Sequence, residues 1–248
     1  MRLVLAAAAA ALAISGCQNQ EETERPASAA STAAAPAPPA TPPAATRAQW
    51  LAAAKGTYVT TNSKTDGDGV TEFSACFPAI GEKCPPFMRG KRDAFRKLTI
   101  FTPAKSLWNR YGAQGHVVPY FSVLDCGPPV LLINPTYSAS SWLFMEKVAF
   151  MADGEVVLER EFQSWDGSRE TVRDGVMESI HWAVDPVDLV KVRALLDGKT
   201  IIIRLTGQKG YVSMDKSRTA DFMIDLARTL KAMDSMSAAL PAVADCST

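Results

Sequence analysis

The chain has 248 residues, 47% of them hydrophobic, with 26 Lys and Arg against 26 Asp and Glu. That balance excludes the excess of cations that draws a chain to nucleic acid or to an anionic bilayer by charge alone. The apolar content suffices for one ordinary core, and residues 48–248 fall within the size range of a single domain.

Met1-Arg2 opens the chain with one positive charge, and an apolar run from Leu3 to Ile14 follows that is too short to cross a bilayer as a helix. This is the pattern of a signal-peptide core. The run closes with Ile14-Ser15-Gly16-Cys17: a branched apolar residue, two small residues that fit a peptidase site, and a nucleophilic thiol. The segment resembles the lipobox of bacterial lipoproteins. That resemblance implies removal of residues 1–16, transfer of diacylglycerol to Cys17 and acylation of the new terminus, palmitate being the typical chain. Gln18 stands where an Asp would retain a Gram-negative lipoprotein at the inner membrane. The resemblance therefore implies an outer-membrane anchor, with the domain on the periplasmic side. Two or three acyl chains would hold it firmly, since each buried methylene adds about 0.8 kcal/mol.

Residues 17–47 carry Pro26, Pro36, Pro38, Pro39, Pro42 and Pro43 among Ala, Ser, Thr and Glu, with no large apolar side chain. Such a segment cannot bury enough surface to offset the entropy of ordering, so a disordered tether is expected. Proline-rich chain extends by about 3.1 Å per residue, which gives a reach of roughly 90 Å from the lipid. A protein or cell-wall partner in the periplasm suits that reach.

Order is predicted from Thr46, which with Gln49 makes a capping-box pattern ahead of Trp50, Leu51 and Ala54, and the helix stops at Gly56. The period then changes to two. Strands are predicted over 57–61, 71–77, 97–102, 117–124, 130–133, 141–151, 156–162, 176–184, 200–206 and 211–214. Asp66-Gly67-Asp68-Gly69, Asp153-Gly154, Asp166-Gly167 and Gln208-Lys209-Gly210 supply turns, and Asp153-Gly154 marks the clearest hairpin. Asp185-Pro186-Val187-Asp188 reads as an N-cap, a first-position proline and a first-turn carboxylate of a helix that ends at Gly198. Over 216–236, Phe222, Leu226, Leu230 and Met233 form one stripe, which predicts an amphipathic helix packed on a sheet. The expected fold is mainly β, an antiparallel sandwich or partly closed barrel with that C-terminal helix against it. The order strand, hairpin, amphipathic helix is similar to that of periplasmic proteins of the invasion-associated-locus-B type, a resemblance that brings no function with it.

Cys76, Cys84, Cys126 and Cys246 are even in number, and in an oxidising compartment they read first as a disulfide framework. Three pairings are possible. The favoured one closes the short loop between Cys76 and Cys84 and lets Cys126 fasten the tail through Cys246. No Cys-x-x-Cys, His-Glu-x-x-His or Gly-x-Ser-x-Gly spacing occurs, and Asp66-Gly67-Asp68-Gly69 would place a lysine in a calcium-ligand slot, so neither metal nor cofactor is expected. His181, beside Trp182, reads as a sheet-face or core histidine, whereas His116 follows Gly112-Ala113-Gln114-Gly115 and is expected at the surface. A cluster of Arg89, Lys91, Arg92, Arg96 and Lys97, with Phe87, Asp93 and Phe95 among them, could with His116 contact an anionic polymer or acidic protein, although short basic runs are commonly solvated loops. The expected function is that of a non-catalytic binding or accessory domain in an inhibitor, immunity or envelope-assembly role. The alternative is an envelope hydrolase whose catalytic set is assembled from distant segments.

Overall fold

Alternation of inward apolar and outward polar residues builds two antiparallel sheets. The computed structural model describes residues 44–81, 88–104, 114–163, 165–242 and 244–245, all within the unit Pro43–Thr248. The chain enters through β1 (Ala45–Thr46) and α1 (Arg47–Gly56), then winds β2 (Val59–Thr65), β3 (Val70–Cys76), β4 (Met88–Asp93), β5 (Leu98–Pro103), β6 (Gly115–Leu124) and β7 (Pro129–Ala139). The hairpin of β8 (Met145–Ala152) and β9 (Glu155–Glu161) precedes β10 (Gly167–Val172), β11 (Gly175–Ile180) and β12 (Trp182–Ala183). Helix α2 (Pro186–Ala194), strands β13 (Ile201–Gly207) and β14 (Gly210–Ser213), the long α3 (Lys216–Ala239) and β15 (Ala244–Asp245) complete it.

The larger sheet has the order β10-β11-β7-β6-β5-β4-β3-β2, with β12 beside β7, and the smaller one runs β14-β13-β8-β9. Both stay open at their ends, so the architecture is sandwich-like and not a barrel. Helix α3 packs on β5, β6 and β7 of the larger sheet and on β13 of the smaller. Phe222 of α3 lies 5.7 Å from Phe150 of β8, ring centre to ring centre. Phe222, Leu226, Leu230, Met233 and Met236 are all buried, so the predicted apolar stripe is the packed face.

The local chemistry of the termini and turns follows the residues. Gln49 N–H donates to Thr46 Oγ1 at 3.3 Å, while Gln49 Oε1 accepts from Thr46 N–H at 2.8 Å, which is the reciprocal capping box. Asp185 accepts from Val187 and Asp188 at the start of α2, and Asp215 accepts from Arg218 at the start of α3. At the β8–β9 turn Asp153 and Gly154 both take positive φ, 53° and 94°, the geometry of a tight hairpin.

Three departures from the sequence expectation have physical causes. Residues 88–93 form strand β4 because Met88, Gly90 and Arg92 share the inner face while Arg89, Lys91 and Asp93 point outward; charge hides the period. Strand β10 is exposed along its length and sits at the sheet edge, so it has no apolar alternation to read. Strand β7 continues through 134–139 instead of ending at Ile133, and residues 142–144 are not strand. There Phe144 takes a φ of +56°, and the backbone N–H groups of Leu143, Phe144 and Met145 donate to the carboxylate of Glu178 at 2.6–2.8 Å.

Candidate functional site

The inner face of strands β2 to β6 is laid out in rows by their register. One row is Thr65, Thr71, Arg92, Thr99 and Val123, each opposite the next. Next to it, Phe73, Gly90, Phe101 and Phe121 form a row across β3 to β6. The first row carries hydroxyls and a guanidinium; the second is aromatic. Gly90 is required in the second row, because a Cβ there would stand 2.1 Å from the ring of Phe73. With Tyr58 and Phe77 these rings form a continuous cluster, in which Phe101 and Phe121 stack at 4.8 Å and Tyr58 and Phe73 at 5.8 Å.

One end of the hydroxyl row is fixed by a charge cluster. The Asp125 side chain is only 2% exposed and accepts from two guanidinium groups. Arg92 donates through Nη1 to Oδ1 at 2.5 Å and through Nη2 to Oδ2 at 2.8 Å. Arg47 donates to Oδ2 through Nη2 at 2.7 Å and Nε at 3.1 Å. Burial alone would raise the Asp125 carboxyl, but the hydrogen bonds and charges of Arg92 and Arg47 outweigh it and hold the group below the usual carboxylate range. The hydrogen bonds to Asp125 likewise raise the Arg92 guanidinium despite its partial burial. Burial raises the phenol of Tyr58, which therefore remains a protonated donor at neutral pH. Arg92 also donates to Thr99 Oγ1 at 3.1 Å.

Helix α1 and the last turn of α3 roof this face without filling it. Trp50, Leu51, Ala54 and Met236 descend from the helices toward Phe73, Phe101 and Val123, and a cavity of about 380 Å³ lies between them. That is within the size of small-molecule sites, which are commonly apolar with a few converging polar groups. Its polar groups are Tyr58, the hydroxyls of Thr60, Ser63, Thr71 and Thr99, and the cations Lys55 and Arg92. The arrangement can hold an apolar body against rings and direct hydrogen bonds and positive charge at its head. No family model matches the chain, and no curated protein or solved structure is similar to it at a significant level. Among the described residues no three metal-type side chains cluster, and no helix is long and apolar enough to cross a membrane.

The structure disperses the residues that the sequence groups as a partner contact. Arg89 pairs with Glu72 on the outer face, and Lys91 is exposed there. Asp93 caps the turn by accepting from the Arg96 backbone N–H at 2.9 Å, with the Arg96 side chain paired to it at 3.6 Å, and Lys97 sits in that turn at a φ of +52°. Arg92 alone of the five turns inward. His116 is 6% exposed, which corrects the expectation of a surface histidine: it lies opposite Thr136 of β7 within the paired ladder, at the start of β6, where Gly115 abuts Leu205 and Val212 of the smaller sheet. His181 is the exposed one, and its Nδ1 shares a hydrogen bond of 2.9 Å with the Tyr120 hydroxyl.

Cys17, Cys84 and Cys246 lie outside the described residues. Cys76 ends β3 beside the row that joins Ala75 to Met88 and Pro103, whereas Cys126 follows the row that joins Leu98 to Leu124 and Asp93 to Val70. These two rows are roughly 17 Å apart along the strands, well beyond the roughly 7 Å between Cα atoms that a disulfide spans. A bond between Cys76 and Cys126 is thereby excluded. The cavity residues Tyr58, Thr71, Phe73, Thr99 and Phe101 escape a sequence reading directed at catalytic motifs. The signal that would have found them is the alternation Thr71-x-Phe73-x-Ala75 repeated as Thr99-x-Phe101-x-Pro103.

Proposed function

We propose that this chain is an exported lipoprotein, acylated on Cys17 and anchored at the outer membrane on the periplasmic side, whose folded part is a non-catalytic binding domain of the cell envelope. The binding role rests on one observation, the cavity of about 380 Å³ with an aromatic floor and the cations Lys55 and Arg92 on its wall. The anchor rests on Ile14-Ser15-Gly16-Cys17. The tether ends where β1 and α1 take up residues 45–47, and the proline-rich residues before them give the domain its reach into the periplasm, where a ligand, a protein or the cell wall is accessible to it. A disulfide framework of Cys76 with Cys84 and Cys126 with Cys246 belongs to this reading. It is supported by the half-cystine state of Cys76 and Cys126. Further support comes from β15, which pairs Asp245 with Thr46 immediately before Arg47, the residue that grips Asp125 next to Cys126.

Intact-mass and peptide mass spectrometry of the protein from native membranes tests the assignment. The expected result is a mature chain that begins at an acylated Cys17, has no alkylatable thiol before reduction, and leaves the membrane fraction when Cys17→Ser is introduced. An unmodified amino terminus, or unchanged fractionation of that variant, refutes the anchor.

A further inference from the structure

We propose that the cavity under α1 binds a single-chain amphiphile with an anionic head, the chain lying on the aromatic row and the head on Lys55 and Arg92. This assignment rests on the reading of the domain as a binding module and names its ligand class.

The charge of the wall selects the head. The charged side chains on the lining are Lys55 and Arg92, and both are cations. Asp125, the nearby carboxylate, is already committed: Oδ1 accepts from Arg92, and Oδ2 accepts from both Arg92 and Arg47. Asp93, whose charge also reaches Arg92, is balanced by its pair with Arg96; the two guanidinium groups against Asp125 then leave one net positive charge, and the Lys55 ammonium adds a second. A guanidinium has five N–H donors; those of Arg92 make three hydrogen bonds to Asp125 and Thr99, so two remain to donate to a head group. The hydroxyls of Thr71 and Thr99 stand on either side of Arg92 in the same row. An anion placed there meets fixed donors whose reorganisation is already complete, and a cationic head of equal size meets repulsion.

The floor selects the body. Phe101 is fully buried and Phe73 nearly so, and Gly90 between them removes the side chain that would stand in the rings' way. Trp50 and Met236 close the opposite side. The volume holds roughly a dozen water-sized groups, which suits one alkyl chain and is too small for the two chains of a bilayer lipid. A carboxylate head from a free fatty acid and a phosphate head from a monoacyl lipid share this chemistry.

The test uses the full acylated chain in lipid nanodiscs, where no detergent competes. A twelve-carbon fatty acid bearing a photoreactive diazirine on its chain is crosslinked, and the labelled peptides are mapped. Unlabelled dodecanoate, dodecyl phosphate and dodecyltrimethylammonium then compete with the probe. The expected result is labelling of peptides that contain Trp50, Phe73 or Phe101, with both anionic competitors at least ten-fold more effective than the cationic one. Which anion competes better distinguishes the two sources. Lys55→Glu, on the exposed side of α1, should reduce that preference to less than three-fold. Thr71→Phe, an aromatic on a strand that accepts one, should abolish cavity labelling with an unchanged circular dichroism spectrum. Cavity labelling with equal competition by the three heads would overturn the anionic assignment and leave the binding reading standing. Labelling confined to other peptides would overturn both.

Discussion

At Asp125 two guanidinium groups share one carboxylate whose side chain is 2% exposed, and its partners come from α1 and β4, 78 and 33 residues away in sequence. Removing the negative charge leaves Arg47 and Arg92 facing each other across a partly dry site. Asp125→Asn should therefore destabilise the fold by about 2 kcal/mol, less than a fully buried pair because both arginines reach solvent. The pH dependence has a definite sign. The folded carboxyl is held below its ordinary value, so its contribution is present above about pH 4 and is lost as pH falls through the folded value. Urea unfolding of the native protein and of the variant at several pH values checks this: the stability gap should be full at pH 7 and shrink below pH 4. A gap that is constant down to pH 2 would contradict it.

Strand β4 shows how a charged sequence can carry a buried face. Met88, Gly90 and Arg92 point inward, and Gly90 lies between Phe73 on β3 and Phe101 on β5. A Cβ on residue 90 would meet the Phe73 ring at 2.1 Å, so Gly90→Ala forces the ring out of its place in the cluster. Overpacking of this kind costs about 1–3 kcal/mol. The expected readout is a lower midpoint in chemical denaturation, together with an altered near-ultraviolet circular dichroism signal from the aromatic floor. Lys91→Ala on the same strand's outer face serves as the control and should shift the midpoint little. The helices were more legible than this strand, because Thr46 with Gln49, and Asp185 with Pro186, are local signals that need no tertiary context.

Across the whole molecule, Glu178 connects the two sheets. It belongs to β11 of the larger sheet, yet its carboxylate accepts three backbone N–H groups at the entrance to β8 of the smaller one, and Arg169 lies 3.5 Å from it. Glu178→Ala would leave those three donors without their acceptor in a buried place, at an expected cost of about 3 kcal/mol, and Glu178→Gln should recover part of it by keeping one oxygen. Thermal unfolding of both variants checks the order of stability. Equal losses in the two would show that one neutral oxygen recovers nothing and that the whole contribution depends on the carboxylate.

The residues by themselves determined what depends on neighbours along the chain: the lipobox pattern, the proline-rich segment, the helix caps, the Asp153-Gly154 hairpin and the mainly antiparallel class with its C-terminal helix. Tertiary structure decided what depends on which strand lies beside which. It alone buried His116 within a paired ladder, turned Arg92 inward while Arg89 and Lys91 went outward, and brought Asp125 to Arg47. It also aligned Thr71, Arg92 and Thr99 beside Phe73 and Phe101 to make a cavity. The physical reason is register: side-chain direction in a strand has a period of two, so position relative to the neighbouring strand fixes which face, and which partners, a residue acquires.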